Sequence, residues 1–98
     1  MDDERLAKMF AEADDEYLEF VAIPIHKRVH SDRHICGLLK LATLIERGKH
    51  FTLGAGHNVI YLAGAGQVTD EITQEDVVYL ARCGQHFDGD SCCIAVFC

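Results

Sequence analysis

The sequence predicts an α+β domain: a small antiparallel sheet of about three strands with three helices, in the order ααββαβ. Apolar residues recur at helical spacing through the first half of the chain. At His50 the pattern changes to short β-branched and aromatic runs bounded by glycine, and helices and strands fall in blocks instead of alternating strictly. With 98 residues, 49% of them apolar, the chain amounts to a single domain with a core of its own.

Taken in order, Leu6, Phe10, Ala13, Tyr17 and Phe20 or Val21 form the stripe of an amphipathic first helix that Pro24 ends. IPIHKRVH reads as an extended connector. Ser31 or Asp32 then caps a second helix running to about Glu46, with Gly48 as its stop. Ile35, Leu38, Leu39, Leu41, Ala42, Leu44 and Ile45 make this helix apolar over so much of its circumference that it is expected near the centre of the core. A hairpin follows at roughly 50 to 54 and 57 to 63, with the two Gly-Ala-Gly stretches as turns. TQEDVVYLARCG gives a third helix with Thr73 as N-cap, Asp76 at the capping-box position and Gly84 past its end. CCIAVFC closes the chain as a strand with Cys93, Ala95 and Phe97 on one face and Cys92, Ile94 and Val96 on the other. A strand apolar on both faces is either central or buried by another chain, which leaves a homodimer open.

Charge divides the chain in three. Residues 1 to 20 carry eight acids against two bases, residues 21 to 50 two against six, and residues 51 to 98 six against one, for a net charge of −7. That balance argues against direct nucleic-acid binding, which rests on lysines and arginines neutralising phosphates. No stretch has the roughly 18 uninterrupted apolar residues of a membrane span, and MDDERLAK is acidic where a signal peptide is basic and then apolar. The expectation is a cytoplasmic protein, with its five cysteines as free thiols.

Three residue clusters invite a chemical reading. HKRVHSDRHIC spaces three histidines four apart, but a helix starting near Asp32 contains only His34, and His26 and His30 fall in the connector. The nearest approach to a ligand set is His34, His86, Cys92 and Cys93. Without CxxC or HxxxH pairing the sequence assigns no metal and no cofactor. GAGHNV and GAGQVT lack the third glycine of a dinucleotide fingerprint. CGQHFDGDSCC gathers thiols, an imidazole and two carboxylates in a loop, the residue types of a nucleophile and its base. Asp88 and Asp90 deny the thiols the electropositive setting they need. The alternative these residues carry is a metal- or thiol-dependent enzyme built on His34, Cys83, His86, Asp88, Cys92 and Cys93; the preferred expectation is no catalytic residue.

The acidic first helix is weighted higher. Glu12, Asp15, Glu16 and Glu19 project opposite the apolar stripe, where they repel one another and oppose the helix dipole. Asp70, Glu71, Glu75 and Asp76 instead sit at a helix start, where carboxylates are favourable without any functional reason. The first cluster is read as a solvated face, as internally neutralised by Lys27, Arg28, Arg33, Lys40, Arg47 and Lys49, or as a surface for a basic partner. Carboxylates at i and i+4 are separated by about 6 Å of helical rise, comparable to successive phosphates. A small, acidic, motif-free chain with a run such as AEADDEYLEF resembles the phage-encoded inhibitors of the anti-CRISPR type, several of which imitate nucleic acid. The resemblance implies a non-enzymatic inhibitor or regulator of a basic, nucleic-acid-binding partner, acting in the host cytoplasm. It assigns no residue.

Overall fold

The computed structural model describes residues 1–14, 19–51, 54–56 and 58–97. Helix α1 is Asp3–Asp14, and the Asp2 carboxylate caps its start by accepting from the Arg5 amide at 2.7 Å. The predicted stripe holds as far as Ala13: Leu6, Phe10 and Ala13 are all buried. Beyond it the expectation of one helix to Pro24 is corrected. Glu19 is extended, Phe20–Ala22 is a single 3-10 turn, and Val21 is 71% exposed. Among the described residues no basic side chain stands in the last turn of α1 to offset the dipole's negative end.

The connector is not extended either. A second 3-10 turn spans Ile25–Lys27, and Arg28 ties the segment down by donating to the carbonyls of Ile23 at 2.8 Å and Val21 at 2.9 Å. Its guanidinium lies 4.9 Å from the centre of the Phe20 ring. Ile23 is thereby pressed onto Cys36 and Cys83, a small second core flanked by Phe20 and Tyr79.

Helix α2 is Arg33–Ala42, capped by Asp32, whose carboxylate accepts from the amides of His34 and Ile35. It ends at Ala42, well short of Glu46. The chain leaves it to pair with residues 67–69: Thr69 N–H donates to the Leu44 carbonyl at 2.8 Å and Glu46 N–H to that of Gln67 at 2.7 Å. Gly48 serves the following turn at φ +86°. The central position expected for α2 is also corrected. The helix buries Cys36, Gly37 and Leu41, while Ile35, Leu38 and Leu39 remain 43%, 38% and 46% exposed.

Four strands, not three, form the antiparallel sheet: β1 (Gly54–Gly56), β2 (Val59–Gly64), β3 (Gln85–Asp88) and β4 (Cys93–Phe97), in spatial order β1-β2-β4-β3. The hairpin sits later than expected. The first Gly-Ala-Gly is the edge strand itself, and the second carries β2 into a 3-10 turn, Ala65–Gln67. Helix α3, Gln74–Arg82, has the predicted reciprocal cap, Asp76 N–H to Thr73 Oγ1 at 3.1 Å and Thr73 N–H to Asp76 Oδ2 at 2.9 Å. Gly84 lies past its end at φ +91°.

Strand β4 is interior to the sheet, between β2 and β3. Ile94 and Val96 share the main core with Leu6, Phe10, Leu41, Leu62, Val77 and Leu80. On the opposite face Ala95 is covered by its cross-strand neighbours Tyr61 and His86, while Phe97 at the strand's end is 62% exposed. Fully buried within one chain, Ile94 is unavailable to a subunit contact.

Candidate functional site

The residues of the thiol or metal reading are dispersed. His34 stands exposed on the first turn of α2, and the His86 ring stacks on Phe97 with centroids 4.5 Å apart. Residues 85–88, read from sequence as loop, are strand β3, so only residues 89–92 turn. Asp88 accepts from Ser91 Oγ at 2.7 Å, which holds its carboxyl below the usual range. The thiols of Cys92 and Cys93 donate to the carbonyls of Gly89 and Ser91. Among the described residues no three of His, Cys, Asp and Glu gather closely enough to hold a metal ion.

Cys83 instead meets Cys36 in the second core, both fully buried. Tyr79 Oη donates to the Lys27 carbonyl at 2.9 Å and lies 3.1 Å from Cys36 Sγ. Burial, with Cys36 alongside, pushes both the Cys83 thiol and the Tyr79 phenol up to about 12. Burial opposes the Cys36 thiolate too, but hydrogen bonds from Tyr79, from the amides of His30 and Val29 and from Cys83 outweigh it and bring that thiol below its ordinary value. Neither thiol has a surface on which to meet a substrate.

Acidic residues make a more coherent surface than either sequence cluster alone. Arg5 Nη1 donates to the Asp70 carbonyl at 3.1 Å, Gln74 Nε2 to the Met9 carbonyl at 2.8 Å, and the Met1 amine pairs with the Asp70 carboxylate. These contacts pack the entry to α3 against α1, so that exposed Asp70, Glu71 and Glu75 lie on an element adjoining the one that carries exposed Asp3, Glu4 and Glu12, although Asp3 and Glu12, nine residues apart, project to opposite sides of α1. Lys8 interrupts the face between Glu4 and Glu12. Of the expected site residues, Glu12 is on this face. Glu19 has left the helix and stands before the first 3-10 turn; Asp15 and Glu16 lie outside the described residues.

Sequence reasoning discounted Asp70, Glu71 and Glu75 because the helix dipole accounts for them. Contacts between residues 65 or more apart join them to α1, and nothing local signals these. Three residues of the basic middle segment have partners of their own: Lys40 pairs with Asp76 at 3.0 Å, Lys49 with Glu46 at 3.4 Å, and Arg28 serves backbone carbonyls. Among the described residues Glu12 has no ion-pair partner.

A cleft of about 660 Å³ runs between the connector and α3, with the Lys40–Asp76 pair in its wall and Lys27, Glu75 and Arg82 around it. Its mixed charge creates no field of one sign, and it holds neither a thiol nor a histidine. No helix among the described residues is long and apolar enough to cross a membrane. No protein-family model, no curated protein and no solved structure matches the chain.

Proposed function

We propose that this chain is a non-enzymatic binding protein that inhibits or regulates a basic, nucleic-acid-binding partner through the acidic face of α1 and the entry to α3. The supporting observation is the junction of two acidic stretches, held by the Arg5 and Gln74 contacts to the backbone. Asp76, which needs no partner beyond Lys40 and Thr73, takes no part. A groove built for nucleic acid lines up lysines and arginines against phosphates, and carboxylates displayed across two packed helices offer it charge of the same sign.

The test is capture of nucleic-acid-binding proteins from native cell extract on the immobilised chain, with duplex DNA as competitor. The expected partner is basic, is displaced by the DNA and is released as salt rises. A variant carrying Glu4→Gln, Glu12→Gln, Glu71→Gln and Glu75→Gln should bind it at least about tenfold more weakly with an unchanged circular dichroism spectrum. Equal binding by that variant, or a partner that DNA does not displace, overturns the reading.

A further inference from the structure

Away from the acidic face, a groove of about 260 Å³ opens between α2 and the end of the sheet where β2 and β4 pair. Leu38, Ile60, Leu62, Val96 and Phe97 form its walls, with His34 and Cys83 beside them. Leu62 and Val96 are buried, whereas Leu38, Ile60 and Phe97 are 38%, 36% and 62% exposed and form the mouth. A concave apolar surface with few polar groups is the usual make-up of a small-molecule site.

One polar group sets this groove apart from a packing defect. Gln85, 5% exposed, contributes to its wall, and Gln85 Oε1 is buried without a hydrogen-bond partner among the described residues. A buried acceptor without a donor carries its full desolvation cost, and native interiors rarely leave one so. The Nε2 end of the same amide is packed close to Gly37 of α2.

We propose that the groove binds a small, largely apolar molecule bearing a single hydrogen-bond donor, which enters donor first and satisfies Gln85 Oε1. The volume sets the size. A 150 Å³ apolar cavity holds benzene, so 260 Å³ suits a molecule of about ten non-hydrogen atoms. The walls supply affinity by burial, and the acceptor selects against molecules of the same shape that lack the donor.

Indole and indene, nearly identical in shape and differing in a ring N–H against a CH2, separate the two contributions. Titrated into isotopically labelled protein, indole should bind saturably, shifting the methyl resonances of Leu38, Leu62 and Val96 and the side-chain amide of Gln85. Indene should bind about fivefold or more weakly. Gln85→Leu should erase that preference, and Leu38→Trp, at an exposed position that fills the mouth, should abolish both interactions while the fold persists. No saturable shift, as expected of a groove that holds only water, overturns the proposal. Equal binding of the two probes to the wild type, a preference surviving in Gln85→Leu, or undiminished binding by Leu38→Trp does the same. If Gln85→Leu fails to fold, the wild-type comparison and Leu38→Trp still decide.

Discussion

Tyr79 carries one hydroxyl proton, and three groups compete for its oxygen. The Lys27 carbonyl can only accept, so the proton points there, and the Val29 amide at 3.4 Å and the Cys36 thiol at 3.1 Å donate in return. Cys36 is fully buried, and no reagent reaches it in the folded state. Of the described thiols, Cys92, exposed in the β3–β4 turn, should therefore alkylate first and Cys93 more slowly. Cys36 and Cys83 should react only as fast as the domain opens, which peptide mapping after timed iodoacetamide treatment will read. Asp76 makes a second residue-scale test. Burial raises its pKa, but the Thr73 amide and Lys40 reverse this, so the folded value lies below the usual carboxylate range. A depressed carboxylate contributes stability that is complete above about pH 4, its unfolded value, and is lost as pH falls through the folded one. Asp76→Ala should thus cost about 1–2 kcal/mol at neutral pH, in urea melts, and progressively less below about pH 4.

At the scale of elements, what was legible followed local rules. Thr73, Asp76 and Gly84 bound α3 because caps act within one turn, and Leu6, Phe10 and Ala13 mark α1 because burial follows the helical period. The exit of α2 was illegible because residues 43–46 choose cross-strand-like bonds to residues 67–69 over another helical turn. Strand β3 was hidden because its inward residues are Gln85 and Phe87, so half of its apolar alternation is replaced by an amide. The groove beside Gln85 was illegible for the same reason. Gly37 shows why α2 lies where it does: a Cβ there would stand 2.8 Å from the Cβ of Cys83, so the helix approaches α3 closely only with glycine. Gly37→Ala, favourable by about 1 kcal/mol in an isolated helix, should instead destabilise the domain by about 1–3 kcal/mol. Ile94→Ala, at a fully buried position of β4, should cost about 2–5 kcal/mol with no change in mass by light scattering.

The whole molecule concentrates its negative charge instead of spreading it. The net charge of −7 arises from a chain in which Lys40, Lys49 and Arg28 of the basic middle are engaged with Asp76, Glu46 and backbone carbonyls. The exposed carboxylates of α1 and of the α3 entry stand on two elements that pack together, with Asp70 held by the Met1 amine. Such a surface opposes the compact state through self-repulsion, and it persists in the fold only because the core beneath it, from Leu6 to Leu80, holds the two helices together. Salt separates this arrangement from one in which the acids are neutralised internally. Screening between about 10 mM and about 200 mM sodium chloride shortens the Debye length from about 30 Å to under about 10 Å. It should raise the melting temperature by about 2–4 °C if the carboxylates repel, and leave it level or lower it if they are paired. In the variant with Glu4, Glu12, Glu71 and Glu75 changed to Gln the rise should flatten, because the charges that salt screens are gone. The same four substitutions weaken partner capture under the proposed function. A variant that loses both its salt response and its partner would tie the cost in stability and the recognition to one surface, and a wild-type melting temperature indifferent to salt would remove the electrostatic basis of both.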